Sequence, residues 1–151
     1  MTIHCEIISQ DRMVFKGEAD IVTLPGASGD MGILPNHSSL LTILRYGIIT
    51  VRLKGNEQYF TVAGGFAEVQ PEQVTILADV AENVIEIDIN RAEEAKKRVE
   101  ARLKEGKIRD VDEFTALKAA LTRSNIRIDA VYRYRLNQGI NKLNDYKNDQ
   151  E

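Results

Sequence analysis

Residues 1 to about 85 alternate between apolar and polar positions in short runs. The stretch IHCEIIS places Ile3, Cys5 and Ile7 on one face, which is the two-residue period of a strand with one buried side. The longer stretches GIITVRLKGNEQYFTVAGG and FAEVQPEQVTILA each hold two such runs, and we predict hairpins that turn at Gly55-Asn56 and at Pro71-Glu72. Many short strands with frequent turns predict an antiparallel β-sandwich or barrel over residues 1–86.

The apolar spacing changes at about residue 88 to three and four residues, which is the period of a helix. In the stretch DINRAEEAKKRVEARLKEG, the apolar stripe of a first helix consists of Ala92, Ala95, Val99 and Leu103. Asp88 or Asn90 can cap the start of this helix, and Gly106 suits its end.

A second helix is predicted from the stretch RDVDEFTALKAALTRSNIRIDAVYRYRL, with Asp110 as its N-cap. The connection at residues 106–110 is short, so the two helices should fold back antiparallel. The fold class is therefore mixed, β then α, with an antiparallel two-helix hairpin over residues 87–138. The remaining residues are polar, and we predict a disordered tail over residues 139–151.

The chain is acidic in its β part and basic in its helical part. Residues 1–90 carry 5 Lys or Arg against 12 Asp or Glu, whereas residues 91–136 carry 13 against 8. This asymmetry suggests two modules with different partners. We expect neither a signal peptide nor a membrane span, because no basic region precedes an apolar run and no apolar stretch reaches about 18 residues. The single Cys5 suits a reducing compartment.

The glycine-rich stretch LPGASGDMGILPNHSSLL, residues 24–41, raises the question of a phosphate-binding or catalytic loop. A Walker-type loop ends in Gly-Lys-Ser/Thr and a dinucleotide fingerprint leads into a helix, and this stretch does neither. Asp30, His37 and Ser38 form a triad on paper, but no nucleophile elbow supports it. Since the only other histidine is His4, the sequence predicts no catalytic residue and no metal site, and we interpret the glycines as turns.

Basic residues on the two helices admit three interpretations. The first helix carries Lys96, Lys97 and Arg98, and the second carries Arg123, Arg127, Arg133 and Arg135. These residues can form a solvated face, a surface that docks onto an acidic protein, or a nucleic-acid site. The small number of aromatic residues and the carboxylates between the basic ones disfavour nucleic acid.

Three stretches, GDMGILPNHSSLLTIL, VAGGFAEVQPEQVTILAD and IDINRAEEAKKRVEARL, together resemble the epsilon subunit of bacterial-type (F-type) ATP synthases, whose mitochondrial counterpart is called delta. The resemblance covers about residues 3–136 in the same order and spacing. It implies an N-terminal β-sandwich followed by a helical hairpin. It also implies a non-catalytic subunit of the central stalk.

The resemblance implies a rotor part that helps to couple proton transport to ATP synthesis. Its partners would be the gamma subunit, the ring of c subunits and the catalytic head of alpha and beta subunits, with no nucleic acid. It would touch the membrane only through the complex, on the cytoplasmic face of the bacterial inner membrane. Asp30 stands at the position of an acidic residue that meets the c ring, and His37 stands where a histidine lies near gamma.

A hairpin of this family can lie folded beside the sandwich or extend into the catalytic head and inhibit ATP hydrolysis. The resemblance thus gives the basic second helix a partner, an acidic segment of the beta subunit. The arginines expected at this interface are Arg123, Arg127, Arg133 and Arg135.

The resemblance also suggests a regulatory ligand, although no cofactor is required. Some members hold ATP on the folded hairpin, and the residues here that match their site are Ile87, Asp88, Arg91, Ala92, Arg98 and Arg123. Arg91 and Arg98 are seven residues apart, two turns along one helix face, so they could flank a triphosphate. Ala119 stands where ATP-binding members have another basic residue.

Two alternatives from other functional classes are kept beside the rotor interpretation. One is a free-standing ATP-sensing module that uses the hairpin. The other is an adaptor whose basic hairpin binds an acidic partner, and the acidic sandwich argues against it.

Overall fold

The computed structural model describes residues 1–148, which form ten strands, a short 3-10 helix and two long helices. The strands are β1 (Ile3–Ser9), β2 (Met13–Ala19), β3 (Ile21–Gly26), β4 (Gly29–Ile33), β5 (Leu40–Ile43), β6 (Gly47–Leu53), β7 (Asn56–Val62), β8 (Gly65–Val69), β9 (Gln73–Ala78) and β10 (Ala81–Asn83). The 3-10 helix is Val84–Glu86, and the long helices are α1 (Ile89–Lys104) and α2 (Val111–Asn148).

The strands form two five-stranded sheets, so the predicted β domain is a sandwich. The strand order is β2-β1-β9-β8-β5 in the first sheet and β10-β7-β6-β3-β4 in the second. The pairing is antiparallel except between β1 and β9, which run parallel. This exception departs from the antiparallel prediction, because β1 and β9 are far apart along the chain and no hairpin turn fixes their relative direction.

The inner faces of the two sheets meet in one apolar core. Its buried residues all lie between Ile3 and Ala81, so the sandwich has a core of its own without the helices. Phe60 is the largest of the fully buried side chains. Cys5 lies in this core, as its alternating position indicates, and burial raises the pKa of its thiol to about 12.

The hairpin of β6 and β7 turns one residue earlier than predicted. Leu53 pairs with Asn56, so the turn residues are Lys54 and Gly55 rather than Gly55 and Asn56. Both turn residues have positive φ, at 50° for Lys54 and 80° for Gly55, as a tight turn between twisted strands requires. Asp20 holds the strained lysine, because its carboxylate accepts the Lys54 backbone N–H at 2.6 Å. The second hairpin turns at Pro71-Glu72, as predicted.

The two helices fold back on each other and begin at the predicted caps. Asp88 accepts the backbone N–H groups of Asn90 and Arg91 at 3.0 and 3.2 Å. Asp110 accepts the N–H of Asp112 at 2.9 Å. These bonds satisfy donors that a helix start leaves without partners.

The hairpin lies folded against the outer face of the second sheet. Ala130 and Val131 of α2 are buried against Tyr59 of β7 and Val84 of the 3-10 helix. Helix α1 packs on α2, and Ala92 of α1 is fully buried. The apolar contact between hairpin and sandwich is therefore small beside the sandwich core.

The prediction of a disordered tail over residues 139–151 is wrong for residues 139–148, which continue α2. Residues 149–151 of that tail lie outside the described residues. Leu136, Ile140 and Leu143 keep the helical spacing here although all three are exposed, and Asn141 donates to Asn137 one turn earlier at 3.0 Å, which stabilises the helix locally. Within residues 1–148, no helix combines the length and apolar character needed to cross a bilayer.

Candidate functional site

The glycine-rich stretch forms a tight hairpin between β3 and β4. Gly26 pairs with Gly29, and Ala27-Ser28 make the turn. No helix follows this hairpin, whose backbone N–H groups therefore lack the strand-to-helix arrangement of a phosphate loop. The stretch is turn geometry, as the sequence indicates.

Asp30 and His37 lie in this region but are not equally accessible. Asp30 is exposed on β4 and pairs with Arg45, with 2.6 Å between Oδ1 and Nη2. His37 is half-buried rather than exposed, and its Nδ1 lies 2.7 Å from the Ser38 carbonyl oxygen. Across residues 1–148, no group of three or more His, Cys, Asp or Glu side chains is arranged to hold a metal ion.

An apolar row crosses the outer face of the first sheet. Met13 of β2, Ile8 of β1, Leu77 of β9, Phe66 of β8 and Ile43 of β5 are paired one after another across the five strands. Ile8 is half-buried and the other four are exposed. A connected apolar surface of this kind is typical of a protein interface.

The apolar row is not among the predicted features, although the sequence carries a signal for it. Strict alternation breaks where two large apolar residues stand side by side, at Ile7-Ile8 and at Ile76-Leu77. One member of each pair enters the core and the other must face outwards. Such adjacent pairs on neighbouring strands predict an apolar outer face.

A polar cleft lies at the start of α1, where the hairpin meets the sandwich. Its lining residues are Glu86, Asp88, Arg91, Glu94, Ala95, Arg98 and Arg127. Three of the six residues suggested for ATP, Asp88, Arg91 and Arg98, thus lie together. Arg91 and Arg98 make no ion pair with any residue of 1–148, so both guanidinium groups are available to an anion.

The other three suggested ATP residues occupy different surroundings. Ala92 is fully buried, so its side chain cannot reach a ligand. Ile87 packs against the apolar cluster between hairpin and sandwich. Arg123 lines a neighbouring depression with Glu82, and Arg127 is the residue that this depression shares with the cleft.

Arg127 is bound to the sandwich through an imperfect contact. Its Nε lies 2.7 Å from Oε1 of Glu82 on β10. The N–H bond does not point at that oxygen, so the contact is an ion pair, and the buried Nε–H has no hydrogen-bond acceptor among residues 1–148. A buried donor without an acceptor is costly, so this contact holds the hairpin less tightly than a well-aligned hydrogen bond would.

Arg12 of the sandwich neutralises the Glu86 carboxylate at the edge of the cleft. Arg12 makes a two-point contact with it, at 3.2 and 2.7 Å. The hydrogen bond from Arg12 holds the pKa of Glu86 below its usual value. This ion pair balances one of the carboxylate charges that would otherwise repel an anion.

The four arginines suggested for an inhibitory interface do not form one basic face. Arg127 is half-buried against Glu82, and Arg133 lines a cleft beside Tyr59 on the outer face of the second sheet. Arg123 and Arg135 are exposed at separate angles around the helix. The expected arginine interface is therefore not a single face of α2. The helical period spreads positions 123, 127, 133 and 135 over about half of the circumference of the helix.

Family models match most of the chain. Residues 2–84 match the model described as the ATP synthase Delta/Epsilon chain, beta-sandwich domain. Residues 86–131 match the ATP synthase Delta/Epsilon chain, long alpha-helix domain. The two matches follow the division into sandwich and helices.

Curated relatives carry the same description. The chain is 37% identical to the ATP synthase epsilon chain of Halalkalibacterium halodurans over 132 residues, which cover 87% of this chain and 98% of the relative. It is 49% identical to the ATP synthase epsilon chain of Koribacter versatilis over 102 residues, which cover 68% of this chain and 72% of the relative.

Solved structures show the same fold. A chain of the Euglena gracilis mitochondrial ATP synthase is similar with a TM-score of 0.73 at 22% identity, over 89% of this chain and 81% of that one. A chain of the Tetrahymena thermophila mitochondrial ATP synthase gives a TM-score of 0.54 at 15% identity, over 87% and 97%. The protein belongs to the Delta/Epsilon chain family of ATP synthases, as an epsilon chain and hence a non-catalytic subunit.

Proposed function

We propose that this chain joins the gamma subunit to the ring of c subunits and so helps to couple proton transport to ATP synthesis. The observation that carries the proposal is the apolar row on the outer face of the first sheet. The row leaves large side chains in contact with water, at a cost of about 25 cal/mol per Å² of apolar surface. Docking onto gamma would recover that free energy.

Polar residues beside the apolar row support this choice of partner. The adjacent outward-facing positions include Lys16, Glu6, Thr75 and Glu68. An apolar strip beside polar side chains is the usual arrangement of a protein–protein interface with a polar rim. The proposed gamma surface is therefore the row with this rim.

The β3–β4 hairpin is the proposed contact with the c ring. Asp30 presents its carboxylate at the surface, and Arg45 holds it in place through the ion pair. A carboxylate fixed in this way suits the polar loop of a c subunit. His37 is proposed to lie at the neighbouring gamma interface, with no catalytic role for either residue.

The helical hairpin is the proposed inhibitor of ATP hydrolysis. It is folded here, and its apolar contact with the sandwich is small, so an extended state is accessible at modest cost. Extension would release Arg127 from Glu82 and add it to Arg123, Arg133 and Arg135, which are already exposed in the folded hairpin. Because these arginines point in different directions around α2, each would then meet a different acidic residue of the beta subunit.

ATP is the proposed regulatory ligand of the folded hairpin. Arg91, Arg98 and Arg127 supply three guanidinium groups to one cleft, with α1 on one side and α2 on the other. Bound phosphate would bridge the two helices and hold the hairpin folded. This cleft favours the ATP-sensing role over the adaptor, which needs a continuous basic face.

The proposed location follows from the proposed partners. The chain would be held at the membrane only through the complex, on the cytoplasmic face of the bacterial inner membrane. No nucleic acid takes part.

A matched pair of variants tests the proposed gamma surface. Ile43 in the row and Ile85 on the 3-10 helix have the same side chain and are both 69% exposed. Ile43→Asp should weaken binding to purified gamma and lower ATP-driven proton pumping by the assembled complex, whereas Ile85→Asp should leave both unchanged. Equal gamma binding by the two variants would place the surface elsewhere.

A further inference from the structure

The distal part of α2, residues 132–148, lies beyond the stretch that the helical family model matches, which ends at residue 131. It nevertheless continues the helix without interruption. Its Leu136 and Ile140 line an open cleft together with Thr23 and Thr50 of the second sheet. Tyr134 still packs on the apolar cluster between hairpin and sandwich, but Leu136, Ile140 and Leu143 beyond it are exposed, so close apolar packing does not hold the rest of the segment.

One carboxylate on β7 supplies the contact instead. Oε2 of Glu57 accepts a hydrogen bond from Nδ2 of Asn137 at 3.1 Å and another from the Tyr59 hydroxyl. Oε1 of Glu57 accepts from Nε of Arg52 at 3.1 Å. Oδ1 of Asn137 in turn accepts from Asn141 at 3.0 Å, which fixes the amide with its donor towards Glu57.

This carboxylate is well placed to connect the distal helix with the apolar contact. The Glu57 side chain is only 20% exposed. Its partner Tyr59 is buried in the same cluster as Ala130 and Val131 of α2. Hydrogen bonds to an ionised group that is shielded from water are stronger than neutral ones at the surface.

We propose that Glu57 and Asn137 form a latch that holds the distal part of α2 on the sandwich and sets how often the hairpin leaves it. Asn137 lies outside the stretch that the family model matches, so the latch uses a part of α2 that the model does not describe. It acts within the isolated chain, so it does not depend on the proposed partners or on ATP.

A thiol placed in the apolar contact between α2 and the sandwich measures how often the latch opens. Ala130→Cys introduces a small thiol at a position that is fully buried between α2 and the sandwich. It can react with a soluble thiol reagent only when the hairpin lifts. Cys5, fully buried in the sandwich core, serves in the same molecule as the reporter of global unfolding.

Asn137→Asp tests the latch, because it places a second carboxylate beside Glu57. In the full-length chain with Ala130→Cys, it should raise the reaction rate at position 130 by about tenfold, the effect expected when one charge-assisted hydrogen bond is lost. The reaction of Cys5 should not change. Asn144→Asp is the matched control, since Asn144 is exposed on the same helix.

Glu57→Gln provides the second variant, because it leaves the sequence of α2 intact. It should also raise the rate at position 130. The latch is overturned if either variant reacts at the rate of Asn144→Asp. A parallel rise in the reaction of Cys5 also overturns it, since the whole chain would then have been loosened.

Discussion

Arg127 of α2 and Glu82 of β10 form an ion pair, at 2.7 Å, between the polar cleft and the apolar docking face of the hairpin. The same arginine therefore ties the helices to the sandwich and offers a charge to an anion in the cleft. A ligand that binds Arg127 together with Arg91 and Arg98 in the cleft requires the folded hairpin. This arrangement gives a physical reason for an anion to stabilise the folded hairpin.

Loss of Arg127 should weaken docking of the hairpin. The side chains of this ion pair are 33% and 24% exposed, so the pair should contribute more than an exposed pair and less than a fully buried one. We expect Arg127→Ala to reduce the free energy of docking by about 1 kcal/mol. The measurement is thiol reactivity with Ala130→Cys, and Arg135→Ala on the exposed surface is the control. Equal reactivity of the two variants would show that the pair contributes nothing to docking.

Removal of either Arg91 or Arg98 from the cleft should weaken the proposed ATP binding. Each of Arg91 and Arg98 would donate charge-assisted hydrogen bonds to phosphate, worth about 1.5–3 kcal/mol each. Isothermal titration of the full chain should therefore give an affinity at least tenfold weaker for Arg91→Ala and Arg98→Ala. Arg109→Ala, on the exposed connection between the helices, should bind as the unaltered chain does. No heat at millimolar ATP, or equal binding by Arg91→Ala, would contradict the site.

The ionisation of His4 should depend on Glu18. Nδ1 of His4 lies 3.0 Å from Oε1 of Glu18, and Nε2 lies 3.2 Å from Oε1 of Glu6. The bonds to Glu18 and Glu6 raise the pKa of His4 above 6.5, and bonds from Thr2 and His4 lower the pKa of Glu18. The bonds of His4 contribute fully to the stability of the fold below the pKa of the unfolded histidine. This contribution is lost as the pH rises through the raised pKa of His4 in the folded protein.

Glu18 has the opposite pH dependence. Its carboxylate contributes to the stability of the fold above the pKa of the unfolded glutamate, and this contribution is lost as the pH falls through the lowered pKa of Glu18 in the folded protein. The pair therefore stabilises the fold between these two limits. Glu18→Gln should lower the pKa of His4 in an NMR titration, and Glu68→Gln on the same face should not. An unmoved His4 pKa in Glu18→Gln would assign its shift to another cause.

Asp30 should matter for assembly and little for folding. Its side chain is 62% exposed and that of Arg45 is 45% exposed, so their ion pair contributes at most about 1 kcal/mol to stability. Asp30→Ala should weaken attachment to the c ring in a reconstituted complex, while urea denaturation of the isolated chain changes little. A stability loss above about 2 kcal/mol would instead indicate a structural role.

Local periodicity explains why the architecture was predictable from the sequence. The two-residue period predicted the sandwich, the change of period near residue 88 predicted the helices, and Asp88 and Asp110 cap them as expected. The parallel pairing of β1 with β9 was not predictable, because it depends on strands that meet only in the folded sandwich. Lys54 at positive φ was missed because lysine seldom occupies that conformation.

The parts of the site that the sequence missed depend on tertiary placement. The cap at Asp88 was readable from the pattern of the helix start, whereas the grouping of Asp88 and Arg91 for ATP came from the family resemblance. Arg127 joins them only through the rotation of α2 against α1 and β10, which no local pattern specifies. The continuation of α2 was in principle readable, because Ile140 and Leu143 keep the helical spacing within a polar stretch.

The central claim is that the sandwich couples and the hairpin inhibits, and the most direct test is a complex assembled with a chain that ends after Asp88. This truncated chain keeps the entire sandwich core, which lies between Ile3 and Ala81, so it should fold and bind gamma. ATP hydrolysis and ATP-driven proton pumping are measured together against the complex with the full chain. We predict faster hydrolysis with proton pumping retained; unchanged hydrolysis, or loss of gamma binding, would contradict the account.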